Sequence, residues 1–252
     1  HEVLKMSGRF NSDLEQGVAK VKGWLQQRVG QIPRQLCSLG DLRLALQCGG
    51  SDAFSGISGN PLVAWVAREI IRRGGGALLA ETDELIGAEG YVLANVKDLS
   101  TAKAFLAQVE RFKLYAGEFG QSAEGNPSVG NQYRGLYNIA LKSAGAAIKR
   151  PADVRLEGCL DYSQRLPPST SEGRGFWFMD SPGNDIESIA GQVASGCNII
   201  SFTTGNGSIT NFPFVPTVKV MTTTERFNLL SGDIDINAGR YLEGLSMDTL
   251  GM

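Results

Sequence analysis

Short apolar runs recur along this chain, and each closes on a cluster of glycines, hydroxyls or carboxylates. The clearest lies in residues 198–220. There Ile199, Ile200 and Phe202 run into Thr203-Thr204-Gly205-Asn206-Gly207-Ser208, and a second β-branched run follows at 215–220. The pattern reads as a buried strand with a polar loop at its carboxyl end, which is where ligands sit in open α/β sheets. Glycines there let backbone N–H groups approach an anion, and the hydroxyls add donors. Between such runs the spacing turns helical. In residues 13–29, Leu14, Val18, Val21, Trp24, Leu25 and Val29 fall at helical intervals behind Ser12 as cap. Pro61 opens an amphipathic helix to residue 73, ended by Gly74-Gly75-Gly76. Residues 99–119 predict another, with Leu106, Val109, Phe112 and Tyr115 on one face, and residues 136–148 and 186–194 two more. Strands are predicted at 42–47, 77–80, 154–160, 175–179 and 198–202.

Strand, polar loop, helix, strand, acidic loop is a βαβ rhythm. It predicts an α/β fold: Rossmann-like, open, mostly parallel sheets with flanking helices, with two similar α/β halves as one version of it. Residues 120–130 read as a polar linker and residues 167–173 as a polar loop. The Lys149-Arg150-Pro151 junction sets a boundary, with a first half at 1–150 and a second at 151–252, or else one packed unit. Trp65, Phe112 and Tyr115 are expected in the core. Lys142, Lys149 and Arg150 follow a helix carboxyl end, where positive charge is favourable.

Composition narrows the function classes. A chain of 252 residues, 42% of them hydrophobic, builds a sizeable core in one large or two modest domains. A net charge of −2 gives no reason to expect nucleic acid or a membrane surface. No apolar run reaches the ~20 residues of a membrane span, and the polar amino end carries no visible signal peptide. The chain begins with His1 rather than Met, so a tag remnant or a fragment is the expected reading of that end. Cys37, Cys48, Cys159 and Cys197 are widely spaced, which fits reduced cytoplasmic thiols better than a disulfide framework or zinc ribbon. The only histidine is His1, so this chain by itself supplies no Ser-His-Asp or Cys-His catalysis.

Four loops carry candidate chemistry: residues 48–56, 81–84, 180–185 and 203–208. Each follows a predicted strand, so a mostly parallel sheet gathers all four at one edge. They bring together Asp52, Glu81, Glu84, Asp180 and Asp185 with hydroxyls, amides and the Cys48 thiol. Carboxylates suit a hard divalent ion, and a thiolate shifts the preference toward a softer one such as iron. The same groups serve as general acid and base once burial moves their pKa. Plainer readings stand beside these. Gly-rich turns after strands are common ways into a helix. Cys48 is by itself a small core residue. Asp83 and Glu84 favour a helix amino end. Asp185 is an N-cap for the following helix. Gly205-Asn206-Gly207-Ser208 is a hairpin turn with Asn-Gly at its centre. Neither GxGxxG nor a P-loop motif is present.

Residues 48–56, CGGSDAFSG, resemble the motif of the same letters in the altronate/galactarate dehydratase family. Glu81-Thr82-Asp83-Glu84 with Gly87-Ala88-Glu89 resembles that family's SETPE…GAE segment, and residues 125–131 its GNPSPGN turn. Residues 179–185, 202–205, 216–219 and 235–239 resemble its later blocks in order, so the likeness spans roughly residues 42–245. Gln132 stands where the family's GNKxGGL has Lys, Leu141 where EKS has Glu, and Gly90 where a His often follows GAE. Gly205-Asn206-Gly207 replaces its TGRG.

The resemblance implies a carboxyl-terminal portion of a sugar-acid dehydratase that gives 2-keto-3-deoxy acids with a divalent metal, Fe2+ or Mn2+. It implies an amino-terminal domain of the same protein as partner, with a homodimer as one assembly, and a cytoplasmic location. The chemistry implied is proton removal next to the carboxylate, stabilisation of the enediolate by metal and nearby donors, and protonation of the departing 3-hydroxyl. Cys48, Glu81 and Glu84 are then the metal candidates, and Glu81, Glu84 and Asp180 the catalytic ones. Asp52, Ser55, Asn184, Asp185, Thr203, Thr204, Gly205 and Asn206 are the substrate-binding candidates. Two other outcomes are a related lyase acting on another hydroxy acid, such as sulfolactate, and a non-catalytic binding or assembly portion.

Overall fold

The structure, a computed structural model, describes residues 5–27, 29–168 and 174–252. The chain divides into two compact units, residues 1–37 and 38–252. Arg28, inside the helix expected to residue 29, and residues 169–173 of the expected polar loop lie outside the described residues. In the first unit, helix α1 (Phe10–Gln27) begins three residues ahead of the expected start and is followed by a 3-10 turn, Val29–Gln31. The Asp13 carboxylate accepts from the Ser7 amide (2.9 Å) and hydroxyl (2.7 Å) and from the Gly8 amide (3.0 Å), which ties down the segment before the helix. Leu14, Val18, Val21 and Leu25 of α1 are exposed.

In the second unit the strands are β1 (Arg43–Cys48), β2 (Gly76–Leu79), β3 (Leu156–Leu160), β4 (Gly175–Met179), β5 (Ile199–Thr204), β6 (Thr217–Met221) and β7 (Ile236–Asn237). Among the described residues they form one open seven-stranded sheet in the order β3-β4-β2-β1-β5-β6-β7, and every pairing is parallel. The α/β expectation is met. β1 and β2, from before residue 150, form the centre of this sheet between strands from after it, and residue 150 lies inside the second unit. The helices are α2 (Gly59–Arg72), α3 (Glu89–Leu93), α4 (Leu99–Glu118), α5 (Val129–Tyr133), α6 (Ile139–Ala147), α7 (Asp185–Ala194), α8 (Thr224–Leu229) and α9 (Met247–Gly251).

The strand sequences explain the layers. All six residues of β1, RLALQC, are buried, as a central parallel strand covered on both faces requires. Side chains alternate between faces with period two. Leu44 and Leu46 join Leu62, Val63 and Ala67 of α2 and Phe105 and Val109 of α4 on one face. Ala45 joins Ile200 and Phe202 of β5 and Ile189 of α7 on the other. Phe105 meets Phe178 of β4 edge to face, with ring centroids 5.1 Å apart. Helix α4 is 20 residues long and outruns the short strands beneath it. Its carboxyl half therefore reaches solvent, and Tyr115, expected in the core, is exposed. Trp65 and Phe112 are only partly buried.

Parallel strands also overturn the hairpin reading of residues 205–208. β5 and β6 run in the same direction, in register from Ile200 opposite Thr217 to Thr204 opposite Met221, so the chain between them is a crossover.

Candidate active site

The parallel sheet brings the four expected loops to one edge. A Cβ added at Gly49 would meet the Asp185 carboxylate at 2.5 Å, and one at Gly183 would meet that of Asp83 at 2.9 Å. The Glu81 amide donates to Ser181 Oγ at 3.0 Å, and the Thr82 hydroxyl to Asp180 Oδ1 at 2.5 Å. Gly50, at φ +60°, brings its carbonyl to the Gly205 and Asn206 amides at 3.2 and 2.9 Å. That left-handed conformation is one glycine adopts without steric cost.

At the centre of this edge Cys48, Glu81 and Glu84 converge, with ligand atoms all within 4.8 Å of one another and all three side chains buried. The Cys48 thiol donates to Glu84 Oε2 at 3.1 Å. Glu81 accepts from Gln47 Nε2 at 2.6 Å and from the Cys48 amide at 3.3 Å. Gln47 in turn accepts from Gln192 of α7 at 3.0 Å. Two ammonium groups complete the cluster. Lys149 donates to Glu81 Oε2 and, at 3.3 Å, to Cys48 Sγ. Lys142 of α6 pairs with Glu84 Oε1 at 2.8 Å and with Asn126 Oδ1. Asn126 donates its amide to Asp83. Glu81 sits in the left-handed region at φ 67°, ψ 64°, a conformation that costs a non-glycine residue of order 1–3 kcal/mol. Such strain persists only where surrounding contacts hold it, and here the Ser181, Gln47, Cys48 and Lys149 contacts do so.

Electrostatics follow from burial and from these partners. Burial, then Glu81 and Glu84, push the Cys48 thiol pKa well up. Burial and Glu84 push Glu81 up against the pull of Lys149. Burial also opposes ionisation of Glu84, but Lys142 and Lys149 outweigh it and hold that carboxyl below its ordinary value. Burial works against the Lys149 charge too, yet Cys48, Glu81 and Glu84 together hold its pKa above that of an ordinary lysine. Asp83 is pushed up to about 6, by burial first and Glu84 second. Its Oδ1 is buried without a hydrogen-bond partner among the described residues.

The other candidates occupy plainer positions. Asp52 and Ser55 form a reciprocal capping box around the 3-10 turn Ala53–Gly56, and Asp52 Oδ2 also accepts from the Thr222 hydroxyl at 2.9 Å. The Asp52 carboxylate lies where a side chain at Gly205 would stand. Thr203 is fully buried in β5, and its hydroxyl has no hydrogen-bond partner among the described residues. Thr204 Oγ1 accepts the Gly207 and Ser208 amides, both at 3.0 Å. With the Gly205 and Asn206 amides given to Gly50, the N–H groups of residues 205–208 are all engaged within the protein, and Asn206 stands exposed. Asn184, not Asp185, caps α7, accepting from the Ile186 and Glu187 amides at 3.2 and 3.4 Å. Asp185 is instead the first residue of the helix. Its carboxylate turns over Gly49 and accepts from the Thr210 hydroxyl at 3.3 Å. Asp180 accepts from Arg111 of α4 at 2.5 Å and lines a surface groove of about 550 Å3 with Phe112, Tyr115 and Tyr162.

Sequence reasoning missed Lys142, Lys149, Asn126, Asp83 and Gln47. The lysines, read as helix-end charges, are buried. Arg150 is buried as well and donates to the Tyr91 and Val154 carbonyls at 2.7 and 2.5 Å. One signal was present: residues 139–149 contain no charge except two lysines seven apart, which is two helical turns and so one face. The 120–130 linker supplies Asn126, whose side chain bridges Asp83 and Lys142.

An open parallel α/β sheet carries its buried thiol–carboxylate–ammonium cluster at the carboxyl edge, where such sheets bind small ligands. The chain belongs to the D-galactarate/altronate dehydratase family, whose carboxyl-terminal model matches residues 39–252. It is 34% identical over 241 residues to the altronate dehydratase of Bacillus subtilis (strain 168), a match covering 94% of this chain and 46% of that protein. It is 32% identical over 218 residues to the galactarate dehydratase (L-threo-forming) of Escherichia coli (strain K12), covering 86% and 40%. It is 29% identical over 218 residues to the (2R)-sulfolactate sulfo-lyase subunit beta of Chromohalobacter salexigens, covering 86% and 55%. The chain thus spans about half the length of the curated relatives it matches. No helix among the described residues is long and apolar enough to cross a membrane.

Proposed function

We propose that this chain is the carboxyl-terminal portion of a metal-assisted hydro-lyase that takes water from a sugar acid of the altronate or galactarate kind, giving a 2-keto-3-deoxy acid. The observation that carries the reading is the convergence of one thiol and two carboxylates, all buried, at the carboxyl edge of the sheet. The names of the relatives support the reaction class. We further infer that the remaining length of those relatives marks the part of the protein that works with this unit, and that the whole acts in the cytoplasm.

The donor set fits a divalent metal. A thiolate and two carboxylates are ligands that Fe2+ or Mn2+ accepts, Cys48 giving up its proton on binding, and their atoms already lie close enough to share one ion. Cys48, Glu81 and Glu84 would hold it, and a metal bound there polarises an oxygen of the hydroxy acid and favours negative charge on it. The remaining work falls to the chain's own groups. Burial and Glu84 push Glu81 up, which makes its carboxylate a stronger base than an ordinary one and suits it to take a proton from the substrate. Gln47, the Cys48 amide and Lys149 fix the direction of its carboxylate. Lys142 keeps Glu84 ionised. Asp185 and Asn206, at the rim, are the groups we assign to the substrate's hydroxyls.

The test is metal content by mass spectrometry together with sugar-acid turnover, in Glu81→Gln and Glu84→Gln variants of the full chain. Both readings should fall in both variants. Normal metal content with normal turnover would refute the assignment. A second reading rests on the sulfo-lyase relative. Incubation with sulfolactate and with altronate separates the two, since the first releases sulfite and the second a keto acid.

A further inference from the structure

Two fully buried cations stand side by side in the sequence and are satisfied in different ways. The Arg150 guanidinium donates to backbone carbonyls of Tyr91, Asn95 and Val154, neutral groups away from the thiol–carboxylate cluster. Lys149 Nζ, among the described contacts, donates to Cys48 Sγ and Glu81 Oε2, on two of the three residues that would hold a metal. A lysine ammonium is a compact charge on a flexible four-carbon stem and can move where a guanidinium fork cannot. A divalent cation and an ammonium cannot both take the same lone pairs in a buried site, where like charges are poorly screened.

We propose that Lys149 is the resident counter-ion of this cluster, which a divalent cation must displace from Cys48 and Glu81, so that this lysine sets the site's cation affinity. The proposal rests on the metal reading above and adds a specificity-determining residue to it. Without metal, the ammonium keeps the buried Glu81 carboxylate paired. With metal, Nζ gives up both contacts. Among the described contacts, Lys142 touches Glu84 alone of the three and is also tied to Asn126, whereas Lys149 touches both Cys48 and Glu81, so the effect belongs chiefly to Lys149.

The test titrates Mn2+, followed by its electron paramagnetic resonance signal, into the full chain and its Lys149→Met, Lys149→Arg and Glu81→Gln variants, with thermal melts in parallel. Lys149→Met should bind Mn2+ about tenfold or more tightly than the unsubstituted protein, because no cation has to leave. Its metal-free form should melt lower, and Mn2+ should raise its melting temperature by more than it raises that of the unsubstituted protein. Lys149→Arg should bind no more tightly than the unsubstituted protein. If Lys149→Met does not fold, Lys149→Gln replaces it with the same expected direction. Unchanged or weaker Mn2+ binding in Lys149→Met (or in Lys149→Gln where that replaces it), with binding lost in Glu81→Gln, overturns the role of Lys149 and leaves the metal reading standing. If no form binds Mn2+, the metal reading fails and this proposal with it.

Discussion

Two loops at the same edge of the sheet use their polar atoms in opposite ways. The loop after β2 places Glu81 and Glu84 in the interior, and each leans on an ammonium brought from α6 or the residues just beyond it. The loop after β5 is just as polar, yet it satisfies itself: Thr204 and Gly50 take up the amides of residues 205–208. The first arrangement depends on charges far apart in sequence. The second depends on neutral acceptors: the Thr204 hydroxyl a few residues away and the Gly50 carbonyl from the loop after β1. A loop that closes on itself makes a firm wall. A loop that leaves charges to be met from elsewhere makes a site whose state a ligand can change.

The contrast gives a graded set of expectations. Lys149→Ala should do the most damage, about 3–5 kcal/mol in metal-free denaturant unfolding, because it strands a buried carboxylate. A loss under about 1 kcal/mol would mean that Glu81 is protonated or hydrated there. Glu81→Gln should keep the fold and lower sugar-acid turnover by about 10²–10⁴-fold, the range for removing a general base, as read by steady-state assay of the full chain.

Asp83→Asn should act through pH. An acid whose pKa rises on folding, here to about 6, binds more protons when folded than when unfolded, so stability falls as pH climbs toward that value. The neutral variant should therefore be more stable than the parent at pH 7.5 by about 1–3 kcal/mol and lose that advantage near pH 4. Equal melting-temperature gains at both pH values would remove the charge explanation. On the self-satisfied loop, Thr204→Val should cost about 1 kcal/mol through two orphaned amides. Asn206→Ala should stay within about 0.5 kcal/mol in stability, and a change confined to KM would place Asn206 at the substrate.

The parallel architecture was legible because β1, β2 and β5 are short apolar runs with polar closures and helical spacing between them. The positions of Cys48, Glu81 and Glu84 followed from loops after strands, and the motif resemblance singled them out. The loop at residues 203–208 misled at the level of atoms. Its glycines and hydroxyls looked like free donors, but composition does not say which amides already have partners. Tyr115 misled through length, since helical spacing marks a face without saying how far the sheet beneath it extends. Lys142 and Lys149 were hidden for a related reason. A helix carries its charges to solvent or to a partner with the same periodicity, and only the packing of α6 over the Glu81–Glu84 turn selects the second.

What the sequence determined by itself is what local sterics and hydrophobic periodicity can fix: strands, helices and the loops that must share the carboxyl edge. Which groups in those loops keep free lone pairs was decided only by tertiary structure. That outcome depends on charges and amides dozens of residues apart meeting in a medium too poor in water to screen them. In such a medium the partner, rather than the residue type, decides whether a carboxylate, a thiol or an ammonium is spent on the fold or left for chemistry.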